Sequence, residues 1–178
     1  MDEPGARGSV GLYEADPRAV MPIGDFRVPG SVRRGLRRAR YAIRLDAAFD
    51  AVVAECAVGR EGVWLTPRLQ AAYGELHRHG WAHSVEAWDA EGLRGGLFGV
   101  TLGGLFTSES MFHRATDAGS AALVGAAQML REARFHLWDI QMASDHTRRF
   151  GAIEIGREEY LRRLGEALAL ERRLAAGR

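Results

Sequence analysis

The sequence predicts an α+β fold: a mainly antiparallel sheet wrapped round one buried helix and preceded by helices, one of them basic. Three observations carry this. Helical spacing dominates as far as Gly80, strand-like segments separated by Gly-containing turns begin at Trp81, and "DAGSAALVGAAQMLREARF" is apolar nearly all round at its start. A surface helix shows one apolar stripe, whereas a helix apolar on every side belongs inside a core.

Taken in order, residues 1–15 read as a loose tail and residues 16–178 as a single domain, since 178 residues suit one proper core. "DPRAVMPIGDFRVPGSVRRGLRRARYAIRL" runs from turn to helix to strand. Ser31 stands where it can cap that helix; Val32, Leu36 and Ala39 line one face, and Arg33, Arg34, Arg37 and Arg38 the other. "DAAFDAVVAECAV" and "PRLQAAYGELHRHG" are two further helices. Strands follow at "WAHSVEAWD", "EGLRGGLFGV" and "TLGGLFTSESMF", then the buried helix. After it come a strand opening "LWDIQM", a short helix or turn in "SDHTRRFGA", a short strand "AIEI" and a charged closing helix "REEYLRRLGEALALERRL". The chain carries no internal repeat and no linker.

Composition narrows the class. Hydrophobic residues make up 47%, ordinary for a globular protein, and no apolar run reaches membrane-spanning length. "MDEPGARGSVG" is neither a signal sequence nor an amphipathic transit peptide, so a cytoplasmic protein with no membrane partner is expected. The single Cys56 excludes an intrachain disulfide and is expected to be a buried, inert thiol. Net charge is +1, yet all 24 basic residues are Arg. A GC-rich genome explains most of that bias, although the guanidinium fork is also the better phosphate reader. Between Arg27 and Arg44 the Arg residues occur with no acid among them, which fits a solvated helix face or a surface tracking a nucleic-acid backbone.

Polar groups set into core strands mark the candidate site. Asp139 and Gln141 are two apart in "LWDIQ", so strand alternation would bring them out side by side on one face. Glu109 lies in "SESMF", inside an apolar, Gly-rich sheet region. Buried carboxylates are rare unless paired or functional. These three are either one satisfied network fixing register or tuned chemistry, and acids in apolar clefts favour the second. His77, His79 and His83 are divided by the His79–Gly80 turn into a helix end and a strand, which predicts no shared ligand face and no metal. His146 beside Asp145 is expected to serve as a cap or at the surface. No Ser-His-Asp order, P-loop or Cys-His pattern is present.

The segments "DPRAV", "WLTPRLQAAYGELHRHGWAHSVEAWD", "GLRGGLFGVTLGGLFTSESMFHR" and "LWDIQMASDHTRRFGA" resemble the leucyl/phenylalanyl-tRNA–protein transferase family, in that family's order, from Asp16 to about Leu164. The resemblance implies a GNAT-like acyltransferase fold. It also implies transfer of Leu, Phe or Met from aminoacyl-tRNA to an N-terminal Arg or Lys, marking the acceptor for N-degron degradation. Asp139 and Gln141 match its catalytic pair and Glu109 its catalytic acid. Trp64 matches a residue stacking on the terminal adenosine. Leu97, Phe106, Met111 and Trp138 match the aminoacyl side-chain pocket, and Arg33, Arg34, Arg37 and Arg38 the tRNA-binding helix. No cofactor is implied, and the partners are Leu-tRNA, Phe-tRNA and proteins with a basic first residue, served by a monomer. The chain departs from the pattern at "LYEADPR", where a Trp-rich segment is usual, at Ser120 for Lys and at Gly156 for Pro, and it begins after the family's usual small N-terminal domain.

An aminoacyl ester is already activated, so the expected chemistry is alignment of amine and carbonyl, for which roughly 7–11 kcal/mol is the ideal ceiling. A carboxamide is a poor proton sink. The expectation is that Gln141 accepts a hydrogen bond from the attacking amine, that Asp139 holds the Gln141 NH2, and that Glu109 supplies negative charge toward the amine or the basic acceptor. Two rivals remain: a CoA-dependent N-acetyltransferase on the same fold, and a non-catalytic tRNA-binding relative. The first normally needs a Gly-rich turn entering the buried helix, but the turn here is "RATDAG", where Asp117 repels a diphosphate.

Overall fold

A computed structural model describes residues 14–39, 41–58 and 64–174. In chain order the elements are β1 (Arg18–Val20), α1 (Gly30–Ala39), β2 (Ala42–Leu45), α2 (Phe49–Ala57), α3 (Pro67–Arg78), β3 (Ala82–Asp89), β4 (Gly92–Leu102), β5 (Leu105–His113), α4 (Ala118–Glu132), β6 (Leu137–Gln141), α5 (Asp145–Arg148), β7 (Ile153–Ile155) and α6 (Arg157–Leu168). The strands form one sheet in the order β2-β3-β4-β5-β6-β1-β7. Every neighbouring pair is antiparallel except β5 and β6, whose parallel rungs are Leu105–Leu137, Phe106–Trp138 and Thr107–Asp139. Parallel neighbours need a long crossover, and α4 supplies it.

Strand alternation divides the core. Phe106 and Trp138 turn to the α4 side, where they join Val85, Leu97, Leu123 and Leu130. Leu105 and Leu137, one residue earlier, turn the other way onto Ala167 of α6. On that second side Phe98 and Phe112 meet Phe49 and Val52 of α2. Helix α4 is buried at Ala118–Leu123 and again at Gly125–Ala127, as its composition predicts. It lies directly on β4: a Cβ at Gly95 would stand 2.8 Å from the Ala118 carbonyl carbon. Cys56 is buried, as expected.

Several local expectations are corrected. Residues 18–20, read as turn, are strand β1, inserted between β6 and β7. Three residues are too few to show alternation, and both partners lie far along the chain. Ser31 does not cap α1, which already begins at Gly30; its hydroxyl accepts from Arg149 Nη2 at 3.1 Å. Thr101 and Leu102 complete β4, and Gly103–Gly104 make the tight turn into β5. Helix α6 stops at Leu168, short of the charged segment's end. His77 and His83 do face one carboxylate: Asp46 Oδ2 is 2.7 Å from His83 Nδ1, and Asp46 Oδ1 is 3.8 Å from His77 Nδ1. The turn at His79–Gly80 folds β3 back beside the end of α3, bringing the rings together. Of the expected N-terminal tail, residues 1–13 lie outside the described residues.

Candidate active site

The site forms where β5 and β6 part. Their ladder ends at Thr107–Asp139, while β5 continues to His113 without β6. Along that continuation Gly99 pairs with Ser108 and Phe98 with Ser110, so Glu109 is the extra residue of a β-bulge. The bulge separates side chains that a regular strand would keep together. Glu109 accepts from Tyr73 Oη of α3 at 3.0 Å, whereas Met111 lies against Gly119 at the start of α4 on the opposite face.

Asp139 is fully buried and takes four donors. Arg18 Nε and Nη2 reach Oδ2 at 3.0 and 2.8 Å, Tyr160 Oη reaches Oδ2 at 2.8 Å, and the Gln141 backbone N–H reaches Oδ1 at 2.7 Å. A charge out of water is tolerable when it is paired and its lone pairs are filled, as here. The cluster pushes the Tyr160 phenol up to about 12, through burial first and then the Asp139 hydrogen bond and charge.

This corrects the expected pairing within "DIQ". Gln141 has φ +62, so alternation stops there and its side chain does not emerge beside Asp139. Asp139 binds the Gln141 backbone, not its carboxamide. The carboxamide Nε2 donates instead to Ser108 O at 3.3 Å and, at 3.4 Å, to Glu109 Oε2. Burial pushes the Glu109 carboxyl above the ordinary range; hydrogen bonds from Tyr73 and Gln141 oppose that, and the Asp139 charge reinforces it. Sequence reasoning missed Arg18, Tyr73, Ser108 and Tyr160. Arg18 was visible only as part of "DPRAV", and neither Tyr had a spacing signal linking it to the acids.

An open cavity of about 680 Å³ adjoins this cluster, reached through Met111 and lined also by Ser31, Ser120, His146 and Arg149. Leu97, Phe106 and Trp138 are packed in the core behind Met111, with Trp138 Nε1 donating to Ser108 Oγ at 2.8 Å. Trp64 is 38% exposed just before α3. Arg33, Arg34, Arg37 and Arg38 are exposed on α1. Ser144, not His146, caps α5: its Oγ accepts from Thr147 N at 3.2 Å, and Thr147 Oγ1 accepts from Ser144 N at 2.9 Å. His146 packs against Phe150 instead. Asp117, at the N-terminus of α4, has φ +62 and makes no side-chain cap bond.

A family model described as Leucyl/phenylalanyl-tRNA protein transferase matches residues 20–165. The chain belongs to that family. Members of the leucyl/phenylalanyl-tRNA–protein transferase family from Rubrobacter xylanophilus and Akkermansia muciniphila are 48% and 46% identical, covering 96% and 90% of this chain and 90% and 85% of their own. The chain is therefore a transferase by family. Two solved structures share its fold. L-PGS from Bacillus licheniformis has TM-score 0.55 and 13% identity over 86% of this chain and 65% of its own. A GCN5-related glucosamine N-acetyltransferase region of a fungal multi-domain GH3 beta-N-acetylglucosaminidase has TM-score 0.57 and 11% identity over 79% and 20%. At those identities they establish the GCN5-related acyltransferase fold alone.

Proposed function

We propose that this transferase moves Leu or Phe, and Met as a further substrate, from aminoacyl-tRNA to proteins that begin with Arg or Lys, working as a monomer in the cytoplasm. The observation supporting it most is the Gln141 carboxamide, fixed at the parted strands between Ser108 O and Glu109. Its N–H side is occupied by those two acceptors, so its oxygen is the group left to take a hydrogen bond.

In the reaction the acceptor's α-amino nitrogen attacks the ester carbonyl. A C–N bond forms, the carbonyl–ribose C–O bond breaks, the nitrogen loses a proton, and the ribose oxygen gains one. Gln141 accepts a hydrogen bond from the amine and aims its lone pair. Glu109 takes the proton, because its pKa is raised and it touches the same carboxamide. Its charge also favours a basic acceptor. Asp139 braces the Gln141 backbone, its lone pairs already held by Arg18 and Tyr160. The aminoacyl side chain rests on Met111, backed by Leu97, Phe106 and Trp138, while Trp64 stacks on adenosine and the α1 Arg residues track the tRNA backbone.

Incubation with labelled Leu-tRNA and Phe-tRNA and a panel of N-terminal residues tests this. Transfer to Arg- and Lys-starting peptides, lost in Gln141→Ala, is expected; equal rates for wild type and variant would favour the non-catalytic relative. A thermal shift with acetyl-CoA would favour the acetyltransferase, against which Asp117 stands at the entry of α4.

A further inference from the structure

The cavity beside the acid–amide cluster has a wall that the mechanism leaves unused. Ser31 comes from the basic helix α1, Ser120 from the start of α4, and Ser144, Thr147 and Arg149 from the segment around α5. The wall is thus made largely of hydroxyls around one guanidinium. Arg149 is exposed, makes no ion pair among the described residues, and spends one N–H on Ser31 Oγ, which ties α5 to α1. A guanidinium offers five donors, so several remain for a ligand. The buried Nε2 of His146, in the same wall, has no hydrogen-bond partner.

A cation amid hydroxyl donors suits a singly charged anion with several oxygens, not an apolar side chain. Position narrows the choice further. Met111, two residues after Glu109, and Ser144, three after Gln141, both line the cavity, so it opens directly from the place where the ester would react. Its opposite rim is the N-terminal turn of α1, whose Arg residues would meet the tRNA backbone. We infer that this cavity seats the phosphodiester nearest the aminoacyl ester, with Arg149 as its main donor and the Ser31 and Thr147 hydroxyls completing the cradle. The inference rests on the tRNA-dependent reading above. Asp117 in the same wall separates this ligand from a CoA diphosphate, because a second negative charge would face the carboxylate.

The test compares esters that differ only in phosphate: phenylalanyl-adenosine, which has none, and the phenylalanyl ester of the dinucleotide CpA, which has one. The readout is the ratio of kcat/KM for the dinucleotide to kcat/KM for the nucleoside. Wild type should favour the dinucleotide, and Arg149→Gln should lower that ratio by about tenfold, the effect of one charge-assisted hydrogen bond. Ser31→Ala, which only unties Arg149, should lower it less. A ratio unchanged in Arg149→Gln overturns the subsite, as does an equal loss on both esters, which would mean that Arg149 serves the fold or the chemistry. Wild type inactive with both esters and with Phe-tRNA would instead remove the transferase reading and the subsite with it.

Discussion

At the scale of single residues, the acids at this site have opposite situations. Asp139 is saturated with donors, one of them the cation Arg18, so its charge is fully paired. Glu109 receives only neutral donors in a bulge, and burial raises its pKa. Removing Arg18 as Arg18→Ala strands a buried charge and should destabilise by about 3–5 kcal/mol in urea unfolding. A loss below about 1 kcal/mol would show the pair to be no better than a surface bridge. Tyr73→Phe has a different signature. The Tyr73 hydrogen bond lowers the Glu109 pKa, so its removal raises that pKa further. If Glu109 is the base, the acid limb of the rate profile then moves to higher pH; an unmoved limb would take the proton from Glu109. The sequence made Asp139, Gln141 and Glu109 legible because polar residues in apolar strands stand out. It could not show which groups hold them, since the Arg18–Asp139 contact spans 121 positions.

At the scale of elements, most of the helices and strands could be read directly because each carries its own period. α3 also carries local chemistry, with Thr66 accepting from Leu69 N and Pro67 opening the helix. What escaped was set by non-local pairing: the strand nature of β1, and the extra residue in β5 that redirects Glu109. The rotation at Gln141 is similar, because a left-handed residue ending a strand leaves no mark in a sequence pattern. Helix α1 presents Arg33, Arg34, Arg37 and Arg38 outward while Val32 is buried, as its spacing predicts. An Arg37→Ala, Arg38→Ala double variant should weaken tRNA binding irrespective of tRNA sequence. It should also make the plot of log affinity against log salt shallower by roughly 0.7–0.9 for each phosphate that is no longer neutralised. An unchanged slope would leave these residues as a solvated face.

At the scale of the whole molecule, the sheet, its buried helix and the flanking helices follow from the order of the patterns, while strand order does not. Stability should also depend on pH through His146. Burial first, then Arg149 and His113, holds its imidazole below the usual 6.5. The unfolded chain then binds a proton near pH 6.5 that the folded chain still refuses, so stability is full above that pH and falls as the solution is acidified toward the lower folded value. Melting temperatures from pH 7 to 5 should decline more steeply for wild type than for His146→Gln. Parallel curves would assign the acid sensitivity to other groups.

The insertion of β1 between β6 and β7 has a consequence for how the molecule comes into being. The strand carrying Arg18 leaves the ribosome early, but its pairings Val20–Asp139 and Arg18–Ile155 form only after most of the chain has been made. Closing so long a loop is entropically costly and slow. Catalytic competence should therefore be the last property acquired in synthesis. In partial unfolding it should be the first one surrendered, while the hairpin of β3 and β4 is still intact.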